Sequence, residues 1–177
     1  MRRYESRSED WRLVTAPSGD GKAQHCDRAA DDPSLPAPLG VIPAALENRW
    51  YRFGDGDGAH PRGRGLSTTP PSANHCGTTI PGWLSALPPS TLTGKTDASG
   101  KTDDTLWPFN AAGSVPSPDE GVVERVVCFD YNQGGGQSLS CYRAVVISVV
   151  NCRGYTLWRL PDVPSCAYPT AYCLAAE

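Results

Sequence analysis

Five of the seven cysteines fall between Val122 and Cys173, the stretch with the strongest strand character in the chain. That coincidence limits what the chain can become. Cysteines in this number are metal ligands, inert buried thiols or disulfide staples. Structural zinc wants ligand pairs two to four residues apart, and neither C-x2-C nor H-x3-5-H occurs. His25-Cys26 and His75-Cys76 are adjacent pairs, which suit one chelating corner poorly. No metal site is therefore expected. The disulfide reading prevails, and it asks for an oxidising compartment. Seven is odd, so at least one thiol stays unpaired within the chain.

At 177 residues there is room for one domain, with or without flanking segments. Eighteen glycines and seventeen prolines predict short, interrupted regular structure. A net charge of −3 with mixed signs makes no electrostatic case for nucleic acid or an anionic membrane. No apolar run approaches the ~18 residues that span a bilayer, so no direct membrane insertion is expected. The opening MRRYESRSEDWRLV lacks the apolar core of a signal peptide. The compartment is read from the cysteines instead, with the expectation that the start belongs to an incomplete gene model.

Residues 1–25 read as a poorly ordered N-terminal segment, with at most a short edge strand at Trp11–Thr15. Three prolines between Cys26 and Leu39 stop any helix from extending. In Glu47–Phe53, alternation sets Trp50 on one face and Tyr51 with Phe53 on the other, so one aromatic pair should face a core. The GDGDG run at Gly54–Gly58 spaces Asp55 and Asp57 like the first ligands of a calcium loop. Ala59 occupies the third ligand position and no Glu stands at the twelfth, which leaves a plain turn. The GKT triplets at Gly94–Thr96 and Gly100–Thr102 lack both the earlier glycine and the preceding strand of a phosphate loop. They read as a solvated loop anchored by Trp107 and Phe109.

Val122–Tyr131 then reads as a strand, and Gln133–Ser140 as a Gly-rich turn. Arg143–Asn151 is β-branched and apolar on both faces, hence expected to be covered on both. After a turn at Arg153-Gly154, Tyr155–Leu160 sets Thr156, Trp158 and Leu160 on one face. Together these predict a mainly β fold: a small disulfide-rich domain built on an antiparallel meander with long irregular loops.

A set of motifs in order carries a resemblance. They are Cys26-Asp27, Asn48–Phe53 (NRWYRF), Cys76–Thr78 with Trp83-Leu84, and Asp119–Arg125 leading to Cys128. Cys141 and Cys152 follow, ten residues between them, then Gly154-Tyr155, Leu160, Cys166 and Tyr172-Cys173. The chain resembles the cysteine-rich, eight-cysteine domain of the uromodulin, zymogen-granule membrane glycoprotein and liver-specific zona-pellucida-domain protein family. The resemblance implies a domain over residues 26–173, with inserted loops at about 28–46 and 88–119 and a tail at 174–177. It also implies a disulfide framework of Cys76, Cys128, Cys141, Cys152, Cys166 and Cys173, with Cys26 the unpaired candidate beside a long insertion.

Two departures bear on function. Ser140 stands where the family has the first of two cysteines, and no cysteine lies between Phe53 and Cys76. The segment after Trp83-Leu84 carries a glycosylation sequon in mammalian relatives, and its glycan is implicated in capturing bacterial adhesins. Here it reads Ser85-Ala86-Leu87, so that role is not carried over.

An enzyme needs a nucleophile with a base, or paired carboxylates in a pocket. His25, His60 and His75 fall in no catalytic motif, and Asp119, Glu120 and Asp130 read as solvated charges. The expectation is a non-enzymatic, extracellular or secreted recognition module, without cofactor, whose partner is a protein or glycan. Tyr142 and Tyr168 are the candidate binding surface; Trp158 is better explained by core packing. A structural spacer within a larger secreted or membrane-anchored protein is the alternative, and a hydrolase a remote one.

Overall fold

The computed structural model describes residues 5–7, 50–53, 65–71, 75–92, 111–131, 139–163 and 170–175. Seven strands lie among them: β1 Glu5–Arg7, β2 Trp50–Phe53, β3 Ile80–Ser85, β4 Val122–Tyr131, β5 Leu139–Asn151, β6 Thr156–Arg159 and β7 Thr170–Tyr172. They form one mixed sheet in the order β1-β2-β6-β5-β4-β3-β7. A single 3-10 turn, Pro89–Leu92, follows β3. The mainly β class expected from composition is the class observed. The expected edge strand at Trp11–Thr15 and the Trp107/Phe109 anchor lie outside the described residues.

The antiparallel meander is β4-β5-β6, and it is the backbone of the sheet. β4 and β5 pair from Val122↔Val150 to Phe129↔Arg143, and β5 pairs with β6 from Ser148↔Arg159 to Asn151↔Thr156. Their β-branched residues suit a pleated surface, and short links make antiparallel pairing the natural arrangement. What the meander alone could not show is how it grows. β2 adds antiparallel beside β6 and β3 beside β4, while β1 and β7 close the edges in parallel. Parallel partners need long connections, and the long upstream and downstream segments supply them.

Alternation gives the sheet two unequal faces. The inner face collects Tyr51, Phe53, Ile80, Leu84, Val127, Phe129, Ile147, Val149 and Trp158 into the main core. Tyr51 and Phe53 point inward as their spacing requires, and Trp50 stays half-buried on the other side. Leu66 and Leu174 bridge to each other and join this core. Leu174, read from sequence as the first residue of a tail, is thus a packing residue. Tyr172 donates its hydroxyl to the Pro161 carbonyl at 2.7 Å, which satisfies its polar end while its ring meets Phe129 edge-on. The outer face holds a smaller cluster: Trp83, Leu87, Leu92, Val126, Cys128, Cys141 and Ala144. The 3-10 turn supplies Leu92 to it, and the buried Ser85 hydroxyl orders the approach by donating to Val126 O and accepting from Leu87 N.

Glycine is required at one crossing. Gly82 lies between β4 and β7, and a methyl there would fall on the Phe129 ring, 2.6 Å from Cδ1, and 3.2 Å from Ala171 O. Phe129 is fully buried and held by Tyr172, so it cannot swing aside cheaply. Gly82→Ala is expected to lower stability by about 1–3 kcal/mol through overpacking. Urea unfolding of the variant checks this, and an unchanged midpoint would contradict the packing described.

Candidate functional site

Two disulfides hold the sheet's far side. Cys76, just before β3, bonds Cys173, just after β7, with Cα atoms 5.6 Å apart. The bond clamps the three-residue parallel pairing of β3 and β7. Ser67 reinforces it, donating its N–H to Cys173 O and accepting the Leu84 N–H on its own carbonyl. Cys128 bonds Cys141 across the β4–β5 hairpin, with Cα atoms 4.5 Å apart.

The second bond depends on a local irregularity. Cys128 is directly opposite Ala144, so a regular ladder would hold Cys141 out of reach. Between Phe129 and Tyr131 the register slips, and Cys141 takes a left-handed backbone (φ 64°). A non-glycine residue rarely adopts that conformation outside a bulge. The bulge brings the Cys141 sulfur to the Cys128 face, where both are fully buried beside Trp83.

Of the six cysteines expected in the framework, Cys76, Cys128, Cys141 and Cys173 are bonded. Cys152 is not: it carries a free, half-buried thiol just after β5. This corrects its placement in the framework. The other four described cysteines are already each other's partners, which leaves none of them for Cys152. Cys26, expected to be the odd one, and Cys166 lie outside the described residues, as does Tyr168. Tyr142 is half-buried on β5, with the Arg143 guanidinium 5.5 Å from its ring centroid. Trp158 is fully buried in the main core, as core packing requires.

The unfilled part of the molecule is the outer face over β4, β5, β6 and β2. The expectation that β5 is covered on both faces holds only at its Ala144 end. Leu87, Leu92 and the Cys128–Cys141 bond cover that end, and they do not reach further along the strand. Beyond it, Val146 is 37% exposed and Val122 is 62% exposed. Register sets the rest in rows. Val122, Val150 and Leu157 form one row; Glu124, Ser148, Arg159 and Trp50 form the next. At the rim, Arg52 lies over the Tyr155 ring, 4.8 Å from its centroid. Sequence reading missed this face. Its signal was the doubly apolar β5, but alternation cannot say which of two apolar faces finds cover.

The segment before β4 is pinned to one end of this face. Asn151 donates to Pro116 O at 3.0 Å, and Arg153 pairs with Asp119 at 3.1 Å. Glu120 accepts the Ser117 N–H and meets Arg125 at 3.4 Å. The Ser117 hydrogen bonds, then Arg125, lower the Glu120 carboxyl below its ordinary value. A lowered pKa means the turn is favoured above the ordinary carboxylate range and loses that support as pH falls through the folded value. Amide exchange at Ser117 is expected to speed up below about pH 4 in wild type and to be fast already at neutral pH in Glu120→Gln. Equal exchange in the two proteins at neutral pH would contradict the capping role.

Residues 95–174 match the family model of the uromodulin-like cysteine-rich domain. No curated protein matches the chain. The family match takes in β4 to β7 and both partners of the Cys128–Cys141 bond. The NRWYRF, Cys76–Thr78 and Trp83-Leu84 motifs lie upstream of it. Sheet pairing ties them in: β2 lies beside β6, β3 beside β4, and Cys76 is bonded to Cys173. The chain therefore carries a uromodulin-like, disulfide-rich β module. Among the described residues no group of three or more His, Cys, Asp or Glu converges as a metal site would require.

Proposed function

We propose that this uromodulin-like module is a non-enzymatic, extracellular recognition unit, and that it binds its partner on the outer face of β4, β5 and β6. The single observation that carries the reading is the exposure of Val122 and Val146 on a rigid sheet whose opposite face is a filled core. Aliphatic side chains left open on a stapled scaffold, with Glu124 and Arg159 beside them, suit reversible contact with a protein surface. The uromodulin-like family and the two disulfides favour an oxidising, extracellular setting. Tyr142, on the same strand, is a further candidate contact.

The test is a label-free binding screen of the folded, oxidised chain against secreted proteins and soluble glycans. Val146→Glu and Val122→Glu are run in parallel, and both sites are exposed enough to accept a charge without unfolding. Ligands of wild type are expected to bind these variants at least about tenfold more weakly. Ligands that bind all three proteins equally would place recognition elsewhere, and turnover of a substrate would overturn the non-enzymatic reading.

A further inference from the structure

The pattern of the outer face is complementary to itself. In the row Glu124, Ser148, Arg159, the serine on β5 stands midway between a carboxylate on β4 and a guanidinium on β6. In the row Val122, Val150, Leu157, one aliphatic stands midway between two others. Two copies of such a face can meet about two kinds of in-plane two-fold axis. An axis running across the strands lays β4 over β4 and puts Glu124 on Glu124, which like charges oppose. An axis running along β5 lays β4 over β6. It puts Glu124 of each copy on Arg159 of the other, Val122 on Leu157, and Val150 on itself.

We infer that this face docks against the same face of a second copy of the chain, with the two-fold axis parallel to β5. The inference rests on the proposed role of the face as a recognition surface, and it names the partner. Charge decides the orientation and the aliphatic rows supply the contact. Face-to-face sheets settle about 10 Å apart, enough for one interdigitated layer of valine and leucine. Four strands about 4.8 Å apart, over some six residues of β5, give a footprint on the order of 400 Å² per copy. That is about half of what a standard stable interface buries. The association is therefore weak and concentration-dependent, a contact that becomes firm only where copies are held near each other.

Sedimentation velocity of the folded, oxidised full chain, from about 1 µM to about 1 mM, tests it. Wild type is expected to pass from monomer to dimer within that range. Glu124→Arg and Arg159→Glu, taken singly, each place like charges across the axis and are expected to weaken dimerisation at least about tenfold. The double variant restores opposite charges in exchanged positions and is expected to return to within about threefold of wild type. Near-UV circular dichroism confirms that each variant keeps its tertiary packing. A wild type that stays monomeric throughout overturns the inference. So does a dimer indifferent to the single changes, or a double variant no better than the singles. If wild type is monomeric while a foreign ligand is still lost in Val146→Glu, only the self-association falls and the recognition reading stands.

Discussion

Cys76→Ala/Cys173→Ala is expected to be the most destabilised of the cysteine-pair variants. The bond spans 97 residues, and in the chain-entropy account closing a loop of that length is worth about 4.7 kcal/mol. The Cys128–Cys141 bond spans 13 and is worth about 3 kcal/mol on the same basis. Position widens the gap. Cys128–Cys141 closes a hairpin that nine paired residues of β4 already hold. Cys76–Cys173 holds an edge where β7 contributes only three. Urea unfolding of the two double variants against wild type checks the order. Equal midpoints would show that neither bond supports the fold, and a reversed order would show that the β3–β7 edge is held by something else.

Trp158→Ala is expected to cost about 3–5 kcal/mol, the range for removing a large aromatic from a packed core. The side chain is fully buried in the main core, opposite Tyr51 on β2 and Val149 on β5. A Cβ on Gly65 would come within 3.3 Å of its ring, so the surrounding walls are already close. Its indole N–H has no acceptor, which makes the site informative. Burying an unpaired donor costs about 1–3 kcal/mol, so Trp158→Phe removes a penalty along with the volume. The phenylalanine variant is therefore expected to lose well under half of what the alanine variant loses. Chemical denaturation of both decides the matter. Similar losses for the two would mean that the indole nitrogen is satisfied in solution.

Several features were legible because they depend on neighbours along the chain. The β4 limits Val122–Tyr131 are those that composition and the Gly-rich boundaries suggest. Alternation in Trp50–Phe53 and Tyr155–Leu160 sent Tyr51, Phe53, Trp158 and Leu160 inward, as observed. Cysteine arithmetic required an unpaired thiol but could not name it. Pairing depends on which backbones approach, and Cys141 reaches Cys128 only through a bulge in a left-handed conformation that its own side chain disfavours. The parallel strands β1 and β7 were hidden for a related reason. Each is three residues long, and its pairing energy comes from a partner distant in sequence.

The cysteine-rich stretch from Val122 by itself determined a β meander, a dependence on disulfides and an inner face of aromatic and aliphatic residues. These follow from side-chain period, β-branching and the chemistry of thiols, which act locally. Only the tertiary structure decided that the outer face is covered at its Ala144 end and open at its Val122 end. It also decided that Glu124 and Arg159 flank Ser148 in one row. Cover and register are set by where distant segments come to rest, and no periodicity within a strand records that.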